Sequence, residues 1–547
     1  MPLSIYTSLT LSLFVSSPIR QPVDKACCCQ QRLLQASLCH SPTASTMAPL
    51  QISSPVNMAA MCLILGLTYY IGSMIYELFF SPLASFPGPL LNRMSSIPRN
   101  YRLTRGDLPF HVAQLHAKYG PIVRVAPNEL AFSTPQAWKD IYGHRTDGRP
   151  EFPKWDGFYR VLDLVPRNII TAHREEHAQV RRQLAHGFSE RSMRAQEPIM
   201  GSYVDLLIQR MHENVAKGNS TLDMREWLNW TTFDVIGDLG FGSPFGCLET
   251  SAYHPWIRLI TDSIKQGAFF QALAQVGLRR PVKWAAKYGG MAESKHQAIV
   301  GEKVAQRMEL GAERPDFIEG LIKKKEDLWS GQGHEAQFEM LKVNASLIII
   351  AGSETTATLL SGATFLLTTH PNILRKAADE VRDTFRNEEE ITLSSVNSLT
   401  YVLAVLNESL RHYPPVATGL PRVTPRGGGT IAGHFVPEGT VVAVWQWAIN
   451  HDPTLWTEPE AFAPERWMGD ERFKGDQLDA MQPFSVGPRN CIGRNLAYAE
   501  MRLILARILY NFDMTLAPSS RDWLSTQKAY VLWDKPELNV HLTPVKR

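Results

Sequence analysis

One decapeptide constrains this chain more than any other feature: Phe484-Ser485-Val486-Gly487-Pro488-Arg489-Asn490-Cys491-Ile492-Gly493. Gly487 and Pro488 predict a tight loop. Leu496, Met501, Ile504, Leu505 and Ile508 follow at helical spacing, so a helix opens just behind it. Cys491 then stands near a helix N-terminus, where the partial positive charge favours a thiolate. A thiolate next to an arginine is one way to hold iron. Taken bare, a buried inert cysteine is the commoner outcome. Of the seven cysteines, Cys27, Cys28, Cys29, Cys39 and Cys62 fall in the first 62 residues, leaving Cys247 and Cys491 for the rest. That is no disulfide framework, and the body reads as cytosolic.

Two further segments can be read the same way. Ala351-Gly352-Ser353-Glu354-Thr355-Thr356 has apolar flanks all round, which implies a buried helix. A central glycine costs such a helix about 1 kcal/mol, and a buried Glu needs a partner or a proton. Violations of this kind tend to mark functional sites, although a kinked core helix with a water-satisfied Glu gives the same pattern. Glu408-Ser409-Leu410-Arg411 lies on an apolar helix that must stop before Pro414-Pro415. Its i, i+3 spacing puts acid and base on one face, as a surface pair worth well under ~1 kcal/mol or as a buried one. Phe462-Ala463-Pro464-Glu465-Arg466-Trp467 follows downstream.

In this order the segments resemble the cytochrome P450 monooxygenases. The cysteine loop keeps every fixed position of F-x-x-G-x-R-x-C-x-G, 351–356 resembles A-G-x-[DE]-T-T, and 408–411 is E-x-x-R, with Arg466 as the completing arginine. The likeness runs over about residues 80 to 545. It implies a mainly α fold with small peripheral β-sheets. It also implies haem b with Cys491 as the proximal iron ligand and Phe484 at the cofactor. Electrons would come from NADPH through a partner reductase, with cytochrome b5 as an optional second donor. By the same resemblance Glu354 and Thr355 guide protons to bound oxygen, and Ala351 and Gly352 leave it room. Arg489, Arg422 in Leu420-Pro421-Arg422 and Arg181 in His177-Ala178-Gln179-Val180-Arg181 would hold the haem propionates. His177 replaces the Trp commoner there, which implies a His–propionate hydrogen bond. Glu408, Arg411 and Arg466 are scaffold, not catalysts.

Finer wording is similar to fungal secondary-metabolism members, of the trichothecene C-15 hydroxylase-like kind. It lies in Ile141-Tyr142-Gly143-His144-Arg145, Gly148-Arg149-Pro150-Glu151-Phe152-Pro153 and Phe233-Asp234-Val235-Ile236-Gly237-Asp238-Leu239. The substrate implied is a small apolar terpenoid or polyketide, hydroxylated or otherwise oxidised. By family position its pocket is lined by Val416 to Gly419, Phe158 to Ile170 and Tyr530 to Leu532, with Ala417 and Gly419 small enough to admit bulk. Two competing functions are a haem-thiolate isomerase or dehydratase, which often lacks the acid–Thr pair, and a non-catalytic haem-binding protein, which needs no proton relay.

No Asp, Glu, Lys or Arg occurs from Leu33 to Tyr76. Within that stretch Met58 to Tyr76 is apolar and, as helix, spans about 28 Å, close to a hydrocarbon core. Arg93, Arg99, Arg102 and Arg105 follow it, while Arg32 is far upstream. The positive-inside rule then predicts a single-pass anchor in the endoplasmic reticulum membrane with the body cytosolic. The expected organisation is an extension over 1–57 lacking order, an anchor over 58–80 and a haem-thiolate domain over 81–547. Residues 1–46 show no periodicity, and Met47 or Met58 is an alternative start. Prolines at 82, 87 and 89 predict a stiff, non-helical connector.

Elsewhere, 118–133 alternates like a β-hairpin, helical patterns cover 197–216, 229–241, 252–275, 294–309 and 336–369, and strand-like pieces return at 421–445 and 527–545. Two motifs are decoys. His173-Arg174-Glu175-Glu176-His177 fits an inverted zinc-protease pattern but shows no third ligand. Gly427-Gly428-Gly429-Thr430-Ile431-Ala432 fits a loose dinucleotide fingerprint but is set among turns and strands. A net charge of +3 from 56 Lys and Arg against 53 Asp and Glu gives no reason to expect nucleic acid.

Overall fold

The computed structural model describes residues 55–145, 148, 150–288, 295–311, 314 and 316–546, with the backbone alone at 255–263 and 295. The 1–46 region, its cysteine cluster, nearly all of the 1–57 extension and Arg149 lie outside the described residues. The chain divides into two units, Met1–Leu65 and Gly66–Arg547, and the division falls inside the first helix, Pro55–Phe79. That helix has 25 residues, about 37 Å at 1.5 Å per residue, and buries none of them. A second helix, His334–Thr369, is also apolar enough to cross a bilayer, but most of it is buried in protein.

His334–Thr369 is the central helix of the larger unit. It packs along Met224–Phe241, which is buried on nearly every side. Asp223 starts that second helix by accepting the Arg225 N–H at 3.1 Å, and Gly242 ends it in the left-handed region. The Phe233–Leu239 wording finds its explanation here. Asp234 accepts the backbone N–H groups of Phe245, Cys247 and Leu248 and so ties down the following turn. Asp238 takes the Tyr203 hydroxyl at 2.8 Å and pairs with Arg314.

Glu190–Ala216, Lys295–Glu309, Thr400–His412 and Arg494–Asn511 pack against one or other of this pair, and the sheets are small. The expected hairpin is β1 (Ile122–Ala126) against β2 (Glu129–Phe132), with Val123 opposite Ala131. β3 is Thr221–Asp223 and β4 is Arg422–Val423. β5 (Gly429–Ile431) and β6 (His434–Val436) form a hairpin where the glycine run resembled a nucleotide loop. β7 (Val441–Val444) runs parallel to β2 and completes the sheet β1-β2-β7-β4. β8 (Phe512–Leu516) and β11 (Asn539–Pro544) join β3, and β9 (Lys528–Ala529) pairs with β10 (Trp533–Asp534).

Residues 81–89 are turns and extended chain, as their prolines require. Pro255–Leu273 continues through a π-helical stretch at Ala274–Leu278, broken at Val276 and Gly277, into Arg279–Tyr288.

Candidate active site

The Cys491 loop is held by its own backbone. The Cys491 N–H donates to the Phe484 carbonyl at 2.8 Å, closing the segment between them. Gly487 turns it with φ +77°, and a Cβ there would lie 2.0 Å from the Tyr142 carbonyl oxygen, so no other residue fits. Phe484 is half-buried and stands 5.2 Å from the Tyr498 ring. The helix Arg494–Asn511 starts after Gly493, so Cys491 precedes it by three residues.

The thiol is open to space, yet the surrounding protein buries it enough to push its pKa up. The Gly493 N–H and the Arg181 and Arg494 charges work the other way. The expected thiolate preference at the helix terminus is thus outweighed by desolvation. Electron-withdrawing metal coordination would restore it.

Around this loop cations outnumber anions. Arg181 donates to the Asn490 carbonyl at 2.7 Å and to its Oδ1 at 2.6 Å, tying the Arg174–Ala185 helix to the loop. Arg489 reaches Glu151 at 2.5 Å and the Ala172 carbonyl at 2.9 Å. Arg422 reaches the same Glu151 at 3.2 Å and leaves its Nε buried without a partner. Burial first, and then Arg489, Arg181 and Lys154, hold the His177 pKa down at about 4. Burial, and then Arg422 and Arg489, likewise push Lys154 far down. One carboxylate among three guanidiniums, a lysine and an imidazole leaves room for further negative charge. These residues fit a dianionic group ligated through a thiolate, as haem is.

On the central helix, Leu347, Ile350, Ala351, Glu354 and Thr355 are not buried, although Ile349 and Ser353 between them are fully so. Their spacing marks one open face on a core helix. Thr355 Oγ1 donates to the Ala351 carbonyl at 2.6 Å. Glu354 does not meet Thr355. It accepts from Asn229 at 2.8 Å and Thr358 at 3.3 Å, and pairs with Lys535, which also donates to Thr358 at 2.6 Å.

Two expectations about small residues need correction. A Cβ on Gly352 would sit 2.5 Å from Ile236 Cδ1, so this glycine serves contact with the Met224–Phe241 helix, and Ala351 is the more exposed of the two. A Cβ on Gly419 would sit 2.8 Å from Ala443 Cβ, and Ala417 is fully buried in the core. Their smallness serves packing of the chain beside β7 and makes no room for a bulky ligand. Val416, Phe158 to Leu162 and Tyr530 to Leu532 are half-exposed and remain available.

The scaffold pair is fully buried. Arg411 Nη2 and Nε donate to Glu408 at 2.8 and 3.0 Å, and Arg466 Nε lies 3.4 Å from the same carboxylate. Trp467 Nε1 and the Ala463 N–H fill its other positions at 2.9 and 3.1 Å. Arg411 also donates to the carbonyls of Asn450, Pro459 and Ala461. Burial alone would raise the Glu408 pKa, but Arg411, Arg466 and the Ala463 N–H bring it below the usual range.

Glu151, Lys154, Asn229 and Lys535 are the site residues that sequence reasoning missed. Glu151 stood in a segment already singled out, and its place beside Phe152-Pro153 was the one available signal.

Comparison with known proteins agrees with this geometry. A sequence model described as Cytochrome P450 matches residues 88–542. The chain is 49% identical over 490 residues to cytochrome P450 monooxygenase tpeC of Talaromyces stipitatus, covering 89% of this chain and 94% of that one. It is 46% identical to cytochrome P450 monooxygenase 1 of Neocamarosporium betae, covering 88% and 96%. It is 45% identical to the trichothecene C-15 hydroxylase of Fusarium sporotrichioides, again covering 88% and 96%.

Proposed function

The chain belongs to the cytochrome P450 family, and from that premise we propose that it is a membrane-anchored monooxygenase oxidising a small apolar secondary metabolite of terpenoid or polyketide type. Family membership brings a haem cofactor, a redox partner that supplies electrons and a small-molecule substrate. The finer reading is an NADPH-dependent reductase as that partner, with cytochrome b5 as an optional second donor. The organisation is an N-terminal extension over 1–57, an anchor over 58–80 lying in the lipid of the endoplasmic reticulum, and a cytosolic haem-thiolate domain over 81–547. The 25-residue unburied helix and the arginines that follow it support this orientation.

The observation that carries the reading is the Cys491 thiol at the end of a locked loop, ringed by cations that hold a single carboxylate. Cys491 is the ligand to iron, and Arg181, Arg422, Arg489 and His177 bind the propionates, with Phe484 packing beside the cofactor. Bound there, haem supplies the oxygen chemistry: one atom of O2 enters the substrate and the other leaves as water. The protein's residues do the rest. Ala351 keeps the central helix open to a reacting oxygen. Thr355 donates to the Ala351 carbonyl at rest and can turn that proton toward the open face. Glu354 is the proton reservoir behind it, held by Lys535, Asn229 and Thr358. Apolar side chains on the same face, Leu347 and Ile350, orient the substrate and exclude water.

The test is comparative metabolite mass spectrometry of a host with and without the gene, joined to NADPH-dependent oxygen consumption by the full chain with its reductase. A lost product and a precursor differing by one oxygen are expected. Oxygen-independent turnover, or a change by water alone, would point to an isomerase or dehydratase. Haem binding with no oxygen consumption would leave a carrier.

A further inference from the structure

Away from the haem-binding residues, two histidines and a glutamate converge where three segments meet. His412 ends the Thr400–His412 helix, His451 follows the Gln446–Asn450 helix, and Glu460 lies in the loop between Trp456 and Phe462. One donor atom from each lies within 4.8 Å of the other two.

Each ring makes a hydrogen bond to a backbone carbonyl. His412 Nε2 lies 3.2 Å from the Glu460 carbonyl, and His451 Nδ1 lies 2.9 Å from the Trp447 carbonyl. A carbonyl only accepts, so these are the protonated nitrogens of each ring. Burial and the nearby Arg411 disfavour the charged form of both rings. That leaves lone pairs on His412 Nδ1 and His451 Nε2, both buried and both without a hydrogen-bond partner. The His412 carbonyl also lies near the His451 ring, but it has no proton to offer. A histidine whose far N–H is fixed by a backbone carbonyl is the usual form of a metal ligand.

We propose that His412, His451 and Glu460 bind one divalent transition-metal ion, of which zinc suits two imidazoles and a carboxylate best. His412 is 8% exposed and His451 stacks 4.1 Å from Trp447, so both rings are held in place. Donors on one tetrahedral zinc stand roughly 3.4 Å apart for bonds of 2.0–2.1 Å. Glu460, which is exposed, supplies the closing movement and the entry path. Neutral imidazoles bind without releasing a proton. The other charged groups facing the cluster are Arg411 and Glu408, already paired with each other, and His370. The ion would fasten the end of the Glu408 helix to the loop whose carbonyls Arg411 already holds.

The experiment uses the full haem-loaded chain, purified without a histidine tag, stripped with chelator and titrated with Zn2+. One zinc per chain should survive gel filtration, and the melting temperature should rise. Glu460→Gln, an exposed change that leaves the fold alone, should weaken zinc at least tenfold, and His412→Gln should abolish the retained equivalent. Parent chain that retains no zinc after gel filtration would overturn the proposal. So would Glu460→Gln binding zinc as tightly as the parent, which remains decisive even if the His412 variant fails to fold.

Discussion

Single side chains carry both the chemistry and the acid sensitivity of this protein. Thr355→Ala removes the hydroxyl now donated to the Ala351 carbonyl. The fold should survive, and electron use should detach from product. The measurement is the ratio of product to NADPH consumed, expected to fall several-fold with haem content unchanged, and an unchanged ratio would remove Thr355 from the relay. His116 offers a second test. Burial pushes its pKa from 6.5 down to about 4, while the Gly120 carbonyl pulls the other way. The unfolded chain therefore binds a proton below pH 6.5 that the folded chain refuses until about pH 4, so stability falls as pH drops through that window. His116→Gln should make the decline of melting temperature between pH 6.5 and 4 shallower. Cys491, Glu354 and Thr355 stand out in the sequence because the motifs that carry them are packed into a few consecutive positions. Glu151 and Lys535 were not, because each meets its partner across hundreds of residues: Lys535 is 181 positions from Glu354. Gly352 and Gly419 were misread for the same reason, since what demands a missing Cβ is a neighbour remote in sequence.

At the scale of elements, one carboxylate joins a helix to the segment Ala463–Trp467. Glu408 binds Arg411 on its own helix and Arg466, Trp467 and Ala463 beyond it. Glu408→Gln leaves Arg411 buried without its counter-charge, while Arg466 keeps Asp476, and breaking a buried pair from one side costs roughly 3–5 kcal/mol. The variant should give little folded, haem-binding protein, and a normal yield and melting temperature would show the network dispensable. The elements themselves were readable where periodicity was strong. The pattern over 336–369 became His334–Thr369, and the alternation over 118–133 became β1 and β2. The helices Leu90–Met94, Ile97–Arg105 and Leu108–Tyr119 escaped notice. They are short, rich in charge and proline, and take their order from packing on the sheet rather than from their own pattern. The pattern read over 252–275 stops just short of the break at Val276 and Gly277, and the basic helix Arg279–Tyr288 beyond it escaped notice.

For the whole molecule, the first helix is a long apolar element that buries none of its residues. A chain beginning after Phe79 should leave the membrane fraction on carbonate washing while still binding haem. Retention of that truncated chain in the pellet would mean the body holds lipid on its own. The larger unit folds its final strand back between a much earlier one and a late one, β11 pairing with both β3 and β8. Lys535 stands just before that strand and reaches the acid at the middle of the longest helix. Residues 535–544 therefore complete the interior of the protein. A stop codon at position 535 would spare every recognisable motif and still strip Glu354 of its counter-ion and β8 of its neighbour. Alleles truncated that late should behave as nulls, and a genome survey that scores only the cysteine loop would count them as intact.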